Sequence, residues 1–197
     1  MARKLDPRAR IVQGALRLAA RRGWANLSLE DVAVEARLPF ARVRRICPSK
    51  HSLLVALIDE IDRVALSPQP DGEQSESTRD RLFELLMRRF DAILPMKAGI
   101  AAIAHGVSAD PFAAAALLPR FMRAMSSTLE AAGGGAAGPI GAAALGLAYL
   151  STIRLWLSDD SPDMARTMAG LDRRLRALER LAEPCARASR ARGAASG

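Results

Sequence analysis

Residues 28–47 read SLEDVAVEARLPFARVRRIC, and this stretch decides the fold. Ser28 followed three residues later by Asp31 is the N-cap pattern of a helix, so the stretch opens with a short helix. A second short helix is predicted over about 39–47, because Pro39 fits a first helical turn, where the backbone N–H has no partner anyway. Two short helices joined by a tight turn predict a helix-turn-helix, a unit that many DNA-binding proteins share.

Helical patterns continue on both sides of this stretch. Residues 8–22 repeat apolar side chains with a period of about 3.6, and Gly23 then provides a left-handed stop. The last predicted helix has Ser161 as its cap and Pro162 in its first turn. No segment alternates with a period of two, so the predicted fold class is all-α. The further predicted helices span about 49–66, 77–94, 96–106, 112–131, 139–157 and 161–183.

The second helix of the predicted helix-turn-helix has a face rich in arginine. If Val43 points inward, a rotation of about 100° per residue directs Ala41 and Arg45 outward and places Arg42 and Arg44 on the two flanks. A small residue and an arginine on the crest suit entry into the major groove of DNA, and flanking arginines suit contacts with phosphates. The alternative is an ordinary three-helix packing unit whose arginines only keep its surface soluble.

Positive charge is concentrated in the first quarter of the chain. The formal net charge is +8, and residues 1–50 contain 12 Lys/Arg against 4 Asp/Glu, whereas residues 51–197 contain 17 of each. A basic block on an otherwise neutral protein indicates contact with a polyanion, which is duplex DNA, RNA or an acidic membrane, or else a basic solvated surface.

Composition excludes several classes of protein. Half of the 197 residues are hydrophobic, which excludes a disordered chain, and only 5 Phe, 2 Trp and 1 Tyr are present, so the core is aliphatic. Two cysteines exclude a disulfide scaffold and fit a reducing cytoplasm, and no secretory signal is expected. The apolar segment over 139–157 approaches the length of a membrane span, but it contains Arg154 and precedes Asp159-Asp160, so no transmembrane segment is expected.

A set of short motifs gives residues 10–54 a family resemblance. The motifs are Ser28-Leu29, Asp31-Val32-Ala33 and, most specifically, Pro48-Ser49-Lys50 followed by Leu53-Leu54. With them, the segment resembles the DNA-binding domain of the TetR (tetracycline-repressor-like) family of transcriptional regulators. The resemblance implies that residues 39–47 form the recognition helix and that Ser28 and Lys50 bind phosphates. The candidate DNA-binding residues are therefore Ser28, Ala41, Arg42, Arg44, Arg45 and Lys50.

The sequence departs from that family pattern at four positions. The family usually has Gly where Arg37 stands, Ser at Pro39, Tyr at Arg44 and Phe at Cys47. Arg44 can replace the tyrosine as a phosphate contact, whereas Arg37 occupies a turn position that prefers positive φ and therefore costs stability. Cys47 fills less volume than Phe, so a looser unit or an altered mode of DNA binding is expected.

The last predicted helix carries a seam of apolar residues at heptad-like spacings. Such a seam suits either a partner helix or burial in the protein's own core. In TetR-like proteins the last two long helices of each subunit form a four-helix dimer interface, so the resemblance favours a homodimer. The expected dimer seam consists of Met164, Met168, Leu171, Leu175 and Leu178.

A second resemblance covers the start of this last helix. The block Asp159-Asp160-Ser161-Pro162-Asp163, followed by Thr167, Leu171 and Arg173-Arg174, is similar to the C-terminal half of the lipid-binding accessory proteins of ubiquinone biosynthesis. Those proteins share the TetR-like fold, do not act on DNA, and hold an isoprenoid lipid for a partner enzyme. The alternative function is therefore a lipid-binding protein with a degenerate helix-turn-helix.

The middle helices carry apolar residues on more than one face, which indicates either a filled core or a pocket for a small apolar ligand. No catalytic residue, metal ligand or cofactor is predicted, because His51 and His105 are far apart in sequence and have no ligand-spaced neighbours. Asp59, Glu60 and Asp62 are interpreted as a solvated cluster on a helix surface. The candidate pocket residues are Met87, Phe90, Ile103, Phe121, Met122, Met125, Leu147 and Leu150.

These patterns predict an all-helical protein in two parts. Residues 1–66 form a helix-turn-helix DNA-binding domain, 67–77 a linker, 78–183 a ligand-binding and dimerisation bundle, and 184–197 a disordered basic tail. The expected function is a cytoplasmic, dimeric transcriptional regulator, and specifically a repressor that a small apolar ligand releases from a palindromic operator in duplex DNA. An enzyme is not expected.

Overall fold

The computed structural model describes residues 6–68, 77–134 and 138–194, and within these ranges all regular structure is helical. The predicted all-α fold class is therefore confirmed. A 3₁₀ turn, Leu94–Met96, follows the fifth helix, and residues 69–76 of the predicted linker lie outside the described residues. The helices are α1 (Pro7–Arg22), α2 (Leu29–Glu35), α3 (Phe40–Ile46), α4 (Lys50–Ala65), α5 (Thr78–Ile93), α6 (Lys97–Ser108), α7 (Pro111–Ala131), α8 (Gly138–Leu157) and α9 (Ala165–Ala194).

The chain divides into two compact units. The first contains Met1–Ser67 and Arg88–Ala124, and the second contains Pro68–Met87 and Met125–Gly197. Helices α1 to α4 and α6 belong to the first unit, α8 and α9 to the second, and α5 and α7 contribute residues to both. This division differs from the domain boundary predicted after residue 66, because α6 packs against α1.

The helix-turn-helix has its own aliphatic core in the first unit. Helices α2 and α4 begin where the sequence predicts, since Ser28 and Ser49 are their N-caps, each with a reciprocal capping box. Each helix contributes side chains that are at most 2% exposed, and among them are Ile11, Leu16, Val32, Val43 and Leu53.

Two glycines bring α6 close to α1. Gly99 and Gly106 lie two turns apart on one face of α6, with Ile103 between them. A Cβ atom added at Gly99 would clash with the backbone carbonyl of Leu16, and one added at Gly106 would lie 2.7 Å from Trp24 Cδ1. The missing side chains therefore allow this close approach, which attaches α6 to the helix-turn-helix.

Helices α8 and α9 pack against each other in the second unit, and the start of α9 differs from the prediction. The sequence places the cap at Ser161 and the first helical residue at Pro162, but α9 begins at Ala165. Met164 has φ 54°, which interrupts the helical path before that point. The predicted start of the last helix is therefore wrong by three residues.

The end of α9 also differs from the prediction. The sequence predicts that the helix ends before Pro184 and that a disordered tail follows, but α9 continues to Ala194. A proline removes one backbone donor, whereas the alanines and arginines that follow it favour helix. The prediction of a disordered segment from residue 184 is wrong for 184–194, and residues 195–197 lie outside the described ones.

In the described part of the chain, two helical segments are long and apolar enough to cross a membrane by length and composition alone, Thr78–Ser108 and Gly138–Leu157. Core helices of soluble proteins pass the same test, so the finding is weak evidence for a span. The second segment is α8, which packs against α9 and buries Tyr149, Thr152 and Trp156. The expectation that the chain has no transmembrane segment stays a prediction.

Candidate nucleic-acid interface

Ser28 lies at the N-terminus of α2, where its hydroxyl is engaged in the capping box. Its Oγ accepts a hydrogen bond from the Asp31 backbone N–H at 3.1 Å and donates one to the Asp31 carboxylate at 2.8 Å. The hydrogen bonds from Ser28 lower the pKa of Asp31. A hydroxyl has a single proton to donate, so Ser28 can donate to a DNA phosphate only by releasing Asp31.

The turn between α2 and α3 has a left-handed conformation. Arg37 has φ 53°, and the Leu38 N–H donates to the Ala33 carbonyl at 3.0 Å, which is the Schellman ending of a helix. From α1, Arg10 Nη2 donates to the carbonyl oxygens of Ala36 at 2.6 Å and Arg37 at 2.9 Å. Arg10 thus ties the end of α2 to α1, and the predicted positive φ at position 37 is confirmed.

Helix α3 presents to solvent the face that the sequence predicts. Val43 is fully buried, and Phe40 lies at the edge of the buried side with 37% of its surface exposed. The periodicity therefore gives the correct orientation of this helix. The exposed residues are Ala41, Arg42, Arg44 and Arg45.

Both ends of α3 carry residues at which the chain departs from the family pattern. Pro39 is the N-cap rather than a residue of the first helical turn, because its ψ of 136° is extended, and it makes no side-chain capping bond. Cys47 follows the last residue of α3 and is fully buried, and this burial raises the pKa of its thiol. A neutral, buried thiol acts as a core group rather than as a nucleophile.

The arginines of α1 pair with acidic side chains of α2. Arg17 Nε donates to the Glu35 carboxylate at 2.8 Å, and Arg21 pairs with the same carboxylate. These two arginines lower the pKa of Glu35. Arg22 lies 3.2 Å from the carboxylate of Asp31. Much of the positive charge of α1 is therefore balanced inside the helix-turn-helix.

The arginines in and just before α3 have no such partners. Within the part of the chain that the structure describes, the guanidinium groups of Arg37, Arg42, Arg44 and Arg45 make no hydrogen bond or ion pair. All four side chains belong to exposed residues. Among the described residues of the basic block, these four arginines thus form the cluster whose charged groups contact nothing in the protein, whereas Arg10 and Lys50 bind backbone carbonyl oxygens. Arg37 was not predicted to belong to this set, because pairing depends on contacts between residues distant in sequence.

Lys50 begins α4, but its ammonium group contacts the loop between α1 and α2. Its Nζ donates to the carbonyl oxygens of Trp24 at 2.8 Å and Ala25 at 3.1 Å, and it lies 5.1 Å from the centre of the Trp24 ring. Partial burial lowers the pKa of Lys50. Two of its three N–H donors are engaged, so one is left for a phosphate.

A chain of ion pairs joins α1, α4, α5 and α7 within the first unit. Arg89 is 2% exposed and pairs with Asp62, while Arg120 bridges the carboxylates of Asp59 and Asp62 at 2.5 Å each. Arg8 pairs with Asp59 from α1. The interpretation of Asp59 and Asp62 as members of a solvated surface cluster is wrong, because arginines distant in sequence converge on them. Glu60, the third acid of that cluster, pairs within the described chain only with its neighbour Arg63.

The predicted pocket residues fall into three environments. Three are buried, three are partly exposed and two are largely exposed on α8. The buried residues are Phe90, Ile103 and Met125, the partly exposed ones are Met87, Phe121 and Met122, and the exposed ones are Leu147 at 71% and Leu150 at 47%. Ile103 lies on the face of α6 that carries Gly99 and Gly106.

The predicted dimer seam is largely buried within one subunit. The contact between α8 and α9 accounts for this burial, so the seam belongs to the protein's own core. Leu171 and Leu175 therefore follow the own-core alternative within this chain, and their assignment to a dimer interface stays a prediction. The exposed fractions are 8% for Met164, 0% for Leu171 and 2% for Leu175, and Met168 and Leu178 are partly exposed.

Helix α8 carries an exposed apolar stripe in addition to the residues that it buries. Ile140 is 85% exposed, Leu147 71% and Leu150 47%, and the exposed Ala143 lies between the first two. The spacings of three and four residues place these side chains on one face of the helix. We call these four residues the α8 stripe.

The block that resembles the ubiquinone accessory proteins forms the entry to α9. Asp159 Oδ2 accepts hydrogen bonds from the backbone N–H and the hydroxyl of Thr167, both at 2.7 Å. Hydrogen bonds from the hydroxyl groups of Ser161 and Thr167 hold the pKa of Asp159 well below its usual value. Arg174 Nε donates to Ser151 Oγ at 2.7 Å and ties α9 to α8. Capping and packing thus account for these residues.

Among the described residues, no three His, Cys, Asp or Glu side chains lie close enough together to hold a metal ion. His51 and His105 are both exposed.

The architecture is shared with bacterial regulators of known structure. A TetR transcriptional regulator from Nitrosomonas europaea superimposes with a TM-score of 0.73 and 22% identity, over 89% of this chain and 99% of the other. The chain has a TetR-like fold. A TetR regulator from a Rhodococcus species matches with a TM-score of 0.64 and 23% identity, covering 87% and 94% of the two chains. GusR of Salmonella enterica matches with a TM-score of 0.59 and 21% identity, over 87% of this chain and 94% of the other.

The second resemblance is also confirmed. The COQ9 family model matches residues 143–182, which cover most of α8, the entry to α9 and part of α9 itself. A comparison with curated proteins finds no match. The TetR-like fold and the COQ9-like segment therefore describe one architecture, in which the segment is the α8–α9 pair.

Proposed function

We propose that this protein is a DNA-binding transcriptional regulator that acts as a cytoplasmic homodimer. The observation that carries the proposal is an exposed set of four arginines on a TetR-like helix-turn-helix, none of which has a side-chain partner among the described residues. They are Arg37, Arg42, Arg44 and Arg45. A cationic cluster on the helix that enters the major groove is complementary to DNA phosphates. In the same unit the arginines of α1 pair with acidic side chains of α2. The arginines of α3 face no such acids among the described residues, so their charge is available to DNA.

The residues of this surface take different roles in the proposal. Ala41 and Arg45 lie on the crest of α3 and face base edges, where an arginine can read guanine. Arg42 and Arg44 lie on the flanks and bind phosphates. Ser28 and Lys50 bind phosphates as well, Ser28 after releasing Asp31 and Lys50 with its remaining N–H donor.

The α8 stripe is the surface through which we propose dimerisation. A second copy of the chain covers Ile140, Leu147 and Leu150, because water does not solvate a continuous apolar helix face favourably. The contact lies on the α8–α9 pair, and the resemblance to TetR-like proteins implies dimerisation through these helices. A two-fold symmetric dimer presents two recognition helices and therefore reads a palindromic operator.

We extend the proposal to control by a small apolar ligand that releases the protein from its operator, as expected of a repressor. Support comes from Phe121 and Met122 of the first unit, which are large apolar side chains that the chain covers only in part. Met and Phe form an adaptable lining for a flexible molecule. Release requires that the ligand binds more tightly to the conformation with low DNA affinity.

The structure gives the lipid-carrier alternative no specific support. The residues that resemble the ubiquinone accessory proteins cap α9 or pack it against α8, as Asp159, Thr167, Leu171 and Arg174 do. Such residues are needed by any protein with this pair of helices. A lipid carrier has no use for unpaired arginines on α3.

The test of DNA binding is fluorescence anisotropy with a labelled duplex from upstream of the protein's own gene and with a random duplex. We expect binding to both, tighter to the first, with log Kd depending linearly on log salt with a slope of about 0.9 per phosphate contacted. Absence of binding at low salt, or binding that salt does not weaken, would refute the proposal.

The test of ligand control uses the same assay. Purified protein is extracted with organic solvent, any co-purified apolar molecule is identified by mass spectrometry, and that molecule is added back to the protein–DNA complex. We expect release of the DNA, because ligand and operator select different conformations. A bound lipid that leaves DNA affinity unchanged would favour the carrier instead.

A further inference from the structure

Arg37 combines an unfavourable backbone with a side chain that contributes no contact to the fold. Its φ of 53° lies in the left-handed region, which glycine adopts freely and which a residue with a Cβ atom adopts at a cost. Within the described residues its guanidinium group makes no hydrogen bond or ion pair, and the residue is exposed. The fold therefore gains nothing from an arginine side chain here.

The left-handed conformation is imposed by the surrounding backbone and not by the side chain. The Leu38 N–H donates to Ala33, and Arg10 donates to the carbonyl oxygens of Ala36 and Arg37. These bonds end α2 and aim the chain into α3 whatever residue occupies position 37. A glycine would fit this turn without strain, so the arginine must be explained by what it does outside the fold.

The position of the turn indicates what the side chain meets. Arg37 immediately precedes the N-terminal part of α3, which in a helix-turn-helix enters the major groove, so the turn lies beside the sugar-phosphate backbone at the groove edge. The other unpaired arginines, Arg42, Arg44 and Arg45, lie on the helix that follows. Arginine binds phosphate with two parallel N–H donors.

We propose that Arg37 is a phosphate-binding residue of the DNA interface, held at the turn at the expense of folding stability. This inference rests on the proposed DNA-binding function and adds to it a contact at a position where the resembling family usually has glycine. The contact is with the backbone of DNA and not with a base, because Arg37 lies outside α3.

The test compares Arg37→Gly, Arg37→Asn and Arg37→Lys with the unchanged protein. Arg37→Gly removes both the charge and the Cβ atom, so we expect a higher urea midpoint together with weaker DNA binding. Asn tolerates the left-handed region and removes the charge, so Arg37→Asn should bind DNA as weakly as the glycine variant. Arg37→Lys keeps the charge and should retain most of the affinity.

The salt dependence and the choice of DNA identify the contact. Each subunit that loses a phosphate contact should lower the slope of log Kd against log salt by about one, and the loss of affinity should be the same fold on upstream and random duplexes. An unchanged slope and affinity in Arg37→Gly would overturn the inference while leaving DNA binding intact. A loss confined to the upstream duplex would assign Arg37 to a base and overturn the phosphate contact. Failure of the unchanged protein to bind any duplex at low salt would overturn the proposed function and this inference together.

Discussion

Helices α3 and α9 were both predicted to carry a functional face, α3 from its periodicity and α9 from the family resemblance, and the two faces have different environments in the structure. On α3 the predicted outer residues are exposed, and its arginines have no partner among the described residues. On α9 the seam residues Leu171 and Leu175, whose spacing suits either a partner helix or the protein's own core, are almost fully buried where α9 packs against α8. The sequence pattern thus predicts that a charged face is exposed, but it does not predict what covers an apolar face.

The difference has a simple physical origin. An apolar face must be covered by something, and periodicity does not say whether the cover is the same chain or a second one. A face of arginines has no place inside a small helical core, so it is exposed wherever the helix packs. The position of α3 could be predicted from the sequence for that reason, and the partner of α9 could not.

The largest effect is expected for a charge placed in the α9 seam. Leu171→Glu puts an unpaired carboxylate at a fully buried position, which should cost about 4 kcal/mol or more and unfold the second unit. The matched change is Leu147→Glu in the α8 stripe, which is 71% exposed and should stay folded. Circular dichroism during thermal unfolding measures the difference.

The same pair of variants separates folding from assembly. Sedimentation should show a folded monomer for Leu147→Glu, because the α8 stripe is the proposed dimer surface, and a dimer for the unchanged protein. A folded Leu171→Glu monomer would instead show that the α9 seam forms the dimer interface. An unchanged dimer mass for Leu147→Glu would remove the α8 stripe from it.

A second prediction concerns how α6 is attached to the helix-turn-helix. Gly99→Ala should cost about 3 kcal/mol, because the new methyl group meets the backbone carbonyl of Leu16, which cannot turn away. Gly106→Ala should cost less, because its methyl group meets the Trp24 side chain, which can shift. Urea unfolding gives both values, and equal costs would contradict the distinction between backbone and side-chain clashes.

Some residues of the helix-turn-helix could be predicted from the sequence, and other features of the structure could not. Ser28, Ser49 and the inward Val43 were predicted correctly, because caps and helix faces depend on residues a few positions apart. The pairing of Arg89 with Asp62 was missed, since it joins α5 to α4 and has no local signal. The start of α9 was missed for the same reason, because Asp159 caps it from eight residues before Thr167.

A third prediction contrasts paired with unpaired arginines. Arg45→Ala should weaken DNA binding by about 2 kcal/mol and relax base preference, and Arg44→Ala should weaken binding to all duplexes alike. Neither change should alter the urea midpoint, because neither side chain has a partner in the described chain. Arg17→Ala is the control: it removes a partner of Glu35, so it should change stability more than DNA affinity. A comparable loss of DNA binding in Arg17→Ala would mean that charge counts regardless of pairing.

The smallest effect is expected at the entry to α9 and depends on pH. Hydrogen bonds from Ser161 and Thr167 hold the pKa of Asp159 below the ordinary value, so the ionised carboxylate stabilises the folded state. Because the folded pKa is the lower one, this stabilisation is fully present above the ordinary aspartate pKa of about 3.9 and is lost as the pH falls below it. Asp159→Asn removes the titrating group, so its urea midpoint should lie below that of the unchanged protein at neutral pH. The two midpoints should converge as the pH falls below 4, within the range where both proteins stay folded. A gap between them that is constant with pH would assign the role of Asp159 to its shape alone and not to its charge.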